Sequence, residues 1–283
     1  MALSRIVYTH SGLTIVDGAA TSYAVETAQN ATVTFNIPRE NVNVFGKSGT
    51  VDRPQLDAAD ATLEFSMIPQ DAGETPALTP LVLDGMINET LANAPTRLTS
   101  VAAGGVGQID NALLNSLSSE AAVGTMANMT LSFTGTPVVA VPAIATTADA
   151  TSMNLVTPKD ITIVDGGATP AAGEFGITCA QSAAAAWDVP VETVLCLGGD
   201  PEDSNDVHTF GNPPGTASFT IEGLDSGLAY TALPATYALT IGLYSFEVLN
   251  GRVDSQTNSL AVGDVFGTFN YVIGGTGDGY RVY

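Results

Sequence analysis

The chain has 283 residues, of which 45% are hydrophobic and 13% charged, and its 29 acidic and 8 basic residues give a formal net charge of −21. High hydrophobicity with few charges excludes bulk disorder, and the length accommodates two domains that each bury a core. An acidic surface repels phosphate, so sequence-specific nucleic-acid binding is not expected. Two explanations of the acidity stay open: work beside nucleic acid without adhesion, or life in concentrated salt, where charges are screened within about 3 Å at 1 M.

The first residues of the chain predict a strand rather than a targeting segment. Residues 1–10 lack the apolar central region of a signal peptide. No run of about 18 apolar residues follows in the sequence, so we expect no membrane-spanning helix. We therefore expect the protein to be made in the cytoplasm and either kept there or assembled there into a larger particle.

Alternation of apolar and polar residues is the commonest pattern along the chain. It occurs at 33–37, 63–67 and 129–133 in the first half, and at 219–221 and 269–273 in the second half. This period of two predicts half-buried antiparallel strands. The sequence therefore predicts an all-β fold with minor helix, built as two tandem antiparallel β-sandwich or barrel-forming domains.

A few segments depart from the simple alternation. Apolar residues fall on odd numbers before Gly242 and on even numbers after it, which predicts a bulge or sharp bend there. Asn250-Gly251 predicts a turn. Residues 76–87 predict one short helix that opens near Pro80. The alanine-rich segment 181–186 is predicted to be a strand, because its counterpart in the first half is strand-like.

The same series of motifs occurs twice in the chain. Four segments return in one order at offsets between about 139 and 156 residues. The matched pairs are 13–21 with 161–169, 35–46 with 187–198, 61–66 with 217–222, and 122–124 with 261–263. Several matched segments in the same order indicate an internal duplication rather than a short-period repeat. We predict a first domain over 1–136, a proline-containing linker over 137–157, and a second domain over 158–283.

Two long polar connections lie at matched places, 46–61 in the first half and 198–216 in the second. Long connections of this kind are usually functional. The second contains the best candidate for a cation site, formed by Asp200, Glu202, Asp203 and Asp206. Calcium needs about six to eight oxygen ligands, but the spacing is not that of an EF-hand, so a solvated acidic loop is the preferred interpretation.

Catalytic and cofactor motifs are absent from the sequence. Gly46-Lys47-Ser48 resembles the end of a phosphate-binding loop, but Asn41 occupies the place of the first glycine. His10 and His208 are far apart and have no metal-ligand spacing. We therefore expect no enzyme activity, no catalytic residue and no cofactor. Cys179 and Cys196 are expected to be small buried hydrophobes, with a disulfide as the alternative.

Two segments carry a family resemblance. The first is 31–47, with its Ile-Pro-Arg-Glu-Asn-Val-Asn-Val-Phe-Gly-Lys core, and the second is 250–263 followed by the aromatic strand of 266–275. Both resemble the tail tube proteins of long-tailed phages and archaeal tailed viruses. The resemblance implies β-sandwich domains with a flanking helix that assemble into rings, which stack into a hollow tube. It also implies location in the virion tail.

For a duplicated chain, the resemblance implies a ring of three copies with pseudo-sixfold symmetry, because each chain supplies two quasi-equivalent domains. The genome would pass through the bore without specific binding, so an acidic lining is expected. The partners implied are other copies of the chain, together with tape-measure, tail terminator and baseplate proteins. We also expect strands of neighbouring domains to pair into a continuous barrel that leaves no free edge.

Candidate residues follow from this interpretation. The candidate carboxylates for the bore or polar face are Glu40, Glu64, Asp188, Glu192, Glu222 and Asp254. The candidate contacts between stacked rings, in the long connections, are Lys47, Asp52, Arg53, Asp57, Asp200, Asp203 and Asp206. Two alternatives stay open: a secreted acidic β-sandwich, such as an adhesin or surface-layer module of a salt-loving organism, and another virion part such as a decoration or baseplate protein.

Overall fold

A computed structural model describes residues 12–71, 76–92, 99–138, 156–165, 179–200, 206–224, 235–259 and 268–283. These residues form antiparallel strands with a single α-helix among them, which confirms the all-β class. The predicted strand over residues 1–10 and most of the predicted linker lie outside the described residues. In the part of the chain that is described, no helix has the length and hydropathy needed to span a membrane.

The described residues of the first half form seven strands and the helix. They are β1 (Leu13–Val16), β2 (Ser22–Val25), β3 (Ala28–Asn36), β4 (Asp60–Met67), α1 (Pro80–Leu91), β5 (Thr99–Ala103), β6 (Gly107–Ala122) and β7 (Asn128–Val138). Helix α1 confirms the predicted helix that opens near Pro80: the Thr79 hydroxyl accepts a hydrogen bond from the Val82 amide at 3.3 Å, and proline occupies the first turn.

The second half consists of strands and two short 3-10 turns, Pro158–Asp160 and Gly277–Gly279. The strands are β8 (Ile161–Asp165), β9 (Ala180–Asp188), β10 (Val191–Leu195), β11 (Val207–Gly211), β12 (Thr216–Gly223), β13 (Ala235–Ile241), β14 (Tyr244–Ser259), β15 (Thr268–Thr276) and β16 (Tyr280–Val282). Strand β9 confirms the prediction for the alanine-rich segment.

Strand pairing follows one order in both halves. In the first half β1 pairs with β5, then β5 with β6, β6 with β7, β7 with β4, and β4 with β3. In the second half the order is β8, β13, β14, β15, β12 and β9. The six strands of one ladder therefore have counterparts at the same places in the other, whereas β2 and β16 have none among the described residues. The domain boundaries at 136 and 158 stay a prediction.

The long strands β6 and β14 each have a backbone irregularity at a matched asparagine. Asn111 and Asn250 both have positive φ, 50° and 55°. The register of β6 against β7 shifts at Asn111, and the chain continues as strand through Asn250. The predicted Asn-Gly turn is therefore wrong, because left-handed asparagine here serves a bulge that redirects the strand. The parity change at Gly242 is a tight reversal: β13 ends at Ile241 and β14 begins at Tyr244.

The hydrophobic core runs through both halves as one cluster. Each half contributes an aromatic pair: Phe65 with Phe133, whose ring centroids are 6.2 Å apart, and Phe219 with Tyr237 at 6.0 Å. The expectation of buried cysteines is wrong, since Cys179 and Cys196 are both exposed and free. Both sit at the ends of strands rather than inside the sandwich.

The turn between β1 and β2 is held by one carboxylate. Asp17 Oδ1 accepts hydrogen bonds from the amides of Ala19 at 3.0 Å and Thr21 at 2.8 Å, and Oδ2 accepts from the Tyr23 hydroxyl at 2.9 Å. These donors, led by the Thr21 amide, hold the pKa of the Asp17 carboxyl below its ordinary value.

Candidate assembly surface

The two halves are joined edge to edge into one sheet. Strands β3, β4, β7, β6, β9, β12, β15 and β14 run side by side in that order, and we refer to them as the joined sheet. The two halves meet where β6 pairs with β9, from Ser116 opposite Asp188 to Ala122 opposite Ser182. The Val189 amide adds a hydrogen bond to the Asn115 carbonyl oxygen at 2.8 Å. We call this ladder the internal seam.

One face of the joined sheet packs on the core. Along its central strands the residues on this face are buried and apolar, for example Leu63, Phe133, Leu117, Trp187 and Phe219. Their register places them on a common side, because residues directly opposite in an antiparallel pair point the same way. This side of the sheet is therefore closed to solvent.

The other face, which we call the hydroxyl face, carries short polar side chains. One row across it runs from Thr32 through Glu64, Ser132 and Ser116 to Asp188. Neighbouring rows add further serines, threonines and asparagines, including Thr62, Thr130, Ser118, Ser218, Thr220 and Asn270. The face continues across the internal seam, where β9 contributes Asp188 and Ser182 with Ala186 and Ala184 between them.

The hydroxyl face is acidic. It carries Glu64, Glu120, Asp188 and Glu222, while Arg252 is the basic residue found on it in the described chain. The Ser182 hydroxyl lies 3.4 Å from a carboxylate oxygen of Glu222, and Glu64, Glu120 and Asp188 are exposed. Such a surface repels the phosphates of nucleic acid.

The predicted carboxylates separate into three groups. Glu64, Asp188 and Glu222 lie together on the hydroxyl face. Glu40 and Glu192 lie outside the joined sheet, on the connections that leave β3 and β9. Asp254 sits at the bulge of β14, with its side chain over Gly274.

Glu120 belongs to the first of these groups, and sequence reasoning missed it. The stretch Leu113-Leu114-Asn115-Ser116-Leu117 shows no clean alternation, because a register shift falls within it. Only the residues after the shift, Leu117 to Glu120, carry the period of two that places Glu120 beside the hydroxyls.

The two long connections form matching hairpins, which we call arm 1 (37–59) and arm 2 (189–215). In arm 1, Arg39 bridges to Gln55 and Val42 to Asp52. In arm 2, the corresponding pairs are Val191 with Gly211 and Val194 with His208. Among the predicted loop residues, Lys47, Asp52, Arg53 and Asp57 lie on arm 1, and Asp200 and Asp206 lie on arm 2.

The acidic loop of arm 2 shows part of the candidate cation site. An oxygen of the Asp206 carboxylate accepts a hydrogen bond from the Asp200 amide at 2.8 Å. Glu202 and Asp203 lie outside the described residues. In the ranges that the structure describes, no group of three or more acidic, histidine or cysteine side chains is arranged to hold a metal ion.

Arm 2 packs back onto the first half of the chain. Its strand β11 contacts β6, β7 and α1. Gly211 of β11 lies so close to Thr90 of α1 that a Cβ added at Gly211 would collide with the Thr90 carbonyl oxygen. Val207 and Thr209 are consequently 2% and 1% exposed. The internal seam thus has two parts, a strand ladder and a docked arm.

Arm 1 leaves the matching positions uncovered. Phe35 and Ile37 are each 46% exposed, whereas their counterparts Trp187 and Val189 are each 1% exposed. Val51 is likewise 46% exposed, against 2% for its counterpart Val207. The same repeat positions are therefore buried at the internal seam and open to solvent on β3 and arm 1.

The arm tips differ from these positions, because they are exposed in both halves. Phe45 of arm 1 and its counterpart Leu197 of arm 2 are fully exposed. Each precedes a left-handed glycine, Gly46 with φ 86° and Gly198 with φ 90°. Neither the internal seam nor the remainder of the described chain covers these tips.

The joined sheet has two open edges, which are formed by different strands. Strand β3, at one end, pairs only with β4 among the described strands. At the other end, the C-terminal half of β14 pairs with β15 in the same part of the structure. Exposed ladder edges of this length lead to pairing with other chains.

Neither a scan of the chain against protein-family models nor a search of curated proteins gives a match.

Proposed function

We propose that this protein is the subunit of a viral tail tube, in which three copies close into a ring and rings stack into a hollow conduit for the genome. The observation that carries the proposal is the internal seam, where the two halves associate side by side through pairing of β6 with β9; in a ring, a contact of the same kind would repeat between chains. The resemblance of 31–47 and 250–275 to tail tube proteins supports the same assignment.

The two open edges support assembly with rotational symmetry. Because one edge belongs to β3 and the other to β14, pairing of β3 in one copy with β14 in the next gives a head-to-tail contact. Head-to-tail contacts give a ring when the rotation closes and a filament when it does not. A closed ring leaves no open edge on the joined sheet, which removes the hazard of uncontrolled pairing there.

The hydroxyl face is the surface we assign to the bore. The opposite face of the joined sheet is sealed by the core, so only the hydroxyl face is available as a lining. Its side chains are short, and Glu64, Glu120, Asp188 and Glu222 make it negative, which prevents DNA from adhering. Tape-measure protein would occupy this bore, and terminator and baseplate proteins would close its ends.

The arm tips are the surfaces we assign to contacts between rings. Phe45 and Leu197 are fully exposed and repeat in both halves, so a ring would present an apolar side chain at each arm. Large apolar side chains left in water at matched positions are typical of interaction surfaces. The two long connections therefore keep their predicted role in ring stacking. The residues we assign to the contact are now the apolar side chains at the arm tips rather than the charged ones.

Electron microscopy of the purified chain tests the proposal. Negative staining should show hollow tubes built from stacked rings. Replacing both Phe45 and Leu197 by Ser should leave single rings that do not elongate, with Leu81→Ser on the exposed side of α1 as the matched control. Solid fibres, or particles without a bore, would refute a tube.

Labelling with a maleimide too bulky to enter the bore tests which face lines it. Glu64→Cys on the hydroxyl face should react in unassembled chains but not in tubes, whereas Leu81→Cys should react in both. Both variants are made after Cys179 and Cys196 are replaced by Ala, since these two are exposed. Equal reactivity of the two cysteines in tubes would place the hydroxyl face outside.

A further inference from the structure

We infer that β3 and arm 1 of one copy bind the second half of another copy in the register of the internal seam, with Phe35, Ile37 and Val51 as the anchors. The inference rests on the proposed ring, and it specifies the contact between its subunits. The partner is a second copy of this chain.

The exposure pattern identifies the surface. Phe35, Ile37 and Val51 are open to solvent, while the residues at the same repeat positions, Trp187, Val189 and Val207, are among the most buried in the chain. The second half buries these three apolar positions, and the first half leaves all three exposed. The first half therefore lacks a neighbour that the second half has. The missing neighbour must present the same kind of surface as the first half presents at the internal seam.

The second half offers that surface on β14. In the internal seam β9 pairs with the C-terminal half of β6. Strand β14 occupies the place of β6 in the second half, since β14 lies between β13 and β15 as β6 lies between β5 and β7. Its residues Ser255, Thr257 and Ser259 are exposed, and the strand continues at the edge of the joined sheet.

The matched ladders fix the register of the contact. Ser118 of β6 lies opposite Thr130 of β7, and Thr257 of β14 lies opposite Asn270 of β15. Thr130 and Asn270 are counterparts, because they face the matched residues Ser66 and Glu222. Thr257 is therefore the counterpart of Ser118.

Ser118 lies opposite Ala186 in the internal seam, and the counterpart of Ala186 in β3 is Thr34. Thr34 of one copy thus comes to lie opposite Thr257 of the next. The same register places Thr32 opposite Ser259 and Asn36 opposite Ser255. Directly opposite hydroxyl side chains are a favourable cross-strand combination, and here they continue the hydroxyl face from copy to copy.

Charge supports the docking of arm 1 beside arm 2 of the neighbouring copy. Arm 1 carries Arg39, Lys47 and Arg53, which its own Glu40, Asp52 and Asp57 balance to a net charge of zero, whereas residues 180–224 contain no lysine or arginine and are acidic. Within one chain, the two arms already lie side by side and line a common cleft, with Leu56 and Asp57 on one wall and Leu195 to Gly199 on the other. In a ring the arms alternate, so the three cations of each arm 1 lie between two acidic arms rather than beside those of another arm 1.

Disulfide trapping tests the register directly. In a Cys179→Ala, Cys196→Ala background, Thr34→Cys combined with Thr257→Cys should form intermolecular disulfides under mild oxidation, detected by nonreducing electrophoresis. Ser118→Cys with Ala186→Cys is the positive control, because those residues are opposite within one chain and should give an intramolecular bond. Thr32→Cys with Ser255→Cys is four residues out of register, roughly 13 Å apart, and should give at least tenfold less product.

The oligomers separate this inference from the proposed function. Efficient in-register trapping that ends at three chains supports both the contact and the ring. Trapping that continues to long polymers supports the contact and refutes a closed ring. Equal trapping of the in-register and out-of-register pairs overturns the inference, even if tubes form.

A charge placed on the anchor gives an independent measurement. Phe35→Asp should raise the concentration needed for half-maximal association by at least a hundredfold, measured by light scattering after size exclusion. Leu81→Asp is the matched control, because Leu81 is exposed and an acidic residue is favourable in the first turn of a helix. Circular dichroism of the monomers should be unchanged in both variants. Unaltered association of Phe35→Asp would contradict the contact.

Discussion

The two halves of this chain share one strand ladder but differ in what covers it. In the second half Trp187 and Val189 are buried at the internal seam, while in the first half Phe35 and Ile37 face water. Local sequence does not cause the difference, since all four residues are large and apolar. Position in the chain causes it: the second half has a neighbour and the first half has an open edge. This difference in exposure is the observation on which the proposed contact between copies rests.

The largest effect should come from removing the aromatic side chain at the internal seam. Trp187 is 1% exposed, and its indole Nε1 donates a hydrogen bond to the Gly277 carbonyl oxygen at 3.1 Å. Trp187→Ala should lower the free energy of unfolding by about 3–5 kcal/mol, measured by urea denaturation of the unassembled chain. Phe35→Ala is the comparison and should cost about 1 kcal/mol or less. Equal losses would show that the two positions have equivalent surroundings.

The next effect concerns the docked arm. A Cβ at Gly211 would collide with the carbonyl oxygen of Thr90, so Gly211→Ala should destabilise the chain by about 1–3 kcal/mol. Gln55 occupies the matched place on arm 1 and already carries a side chain there, so Gln55→Ala should change stability by less than about 0.5 kcal/mol. Thermal unfolding followed by circular dichroism measures both. A neutral Gly211→Ala would mean that arm 2 lies on α1 only loosely.

The smallest effect should come from the turn between β1 and β2. Asp17→Ala removes the acceptor for two amides and the Tyr23 hydroxyl, but the site is solvated, so the loss should stay below about 1 kcal/mol. Because the folded pKa of Asp17 lies below its unfolded value, this stabilisation is present above the unfolded pKa and disappears as pH falls through the folded pKa. The difference between wild type and variant should therefore vanish in strong acid. A difference independent of pH would assign the effect to the backbone alone.

The sequence predicted the strands better than it predicted their environment. Alternation located β4, β7, β12 and β15, because each keeps one period along its length. The prediction of a turn at Asn250-Gly251 was wrong. The same residue pair is typical of a tight turn and of a bulge that redirects a strand. The helix at Pro80 was predictable, since Thr79 and Pro80 form a start signal that needs no tertiary contact.

The candidate surface was only partly predictable. Glu64, Asp188 and Glu222 were named from polarity and repeat position, but Glu120 required the register of β6. The cysteines were misjudged because small apolar residues carry no signal for which strand end they occupy. The contrast between Phe35 and Trp187 was beyond sequence reasoning, because both read as inward residues of a strand. Only the three-dimensional neighbour distinguishes them.

Covalent continuity across the internal seam has a consequence for the speed and order of assembly. Bringing free molecules together costs translational and rotational entropy, and a tether replaces that cost with a high effective concentration. A ring of three such chains would contain three internal seams and three contacts between chains. The internal seams would form as soon as each polypeptide folds. Fewer encounters are then needed before closure, and incomplete arcs have fewer ways to arise. In such a ring the tethered junctions and the untethered ones would carry different side chains at matched positions, tryptophan at the first and phenylalanine at the second.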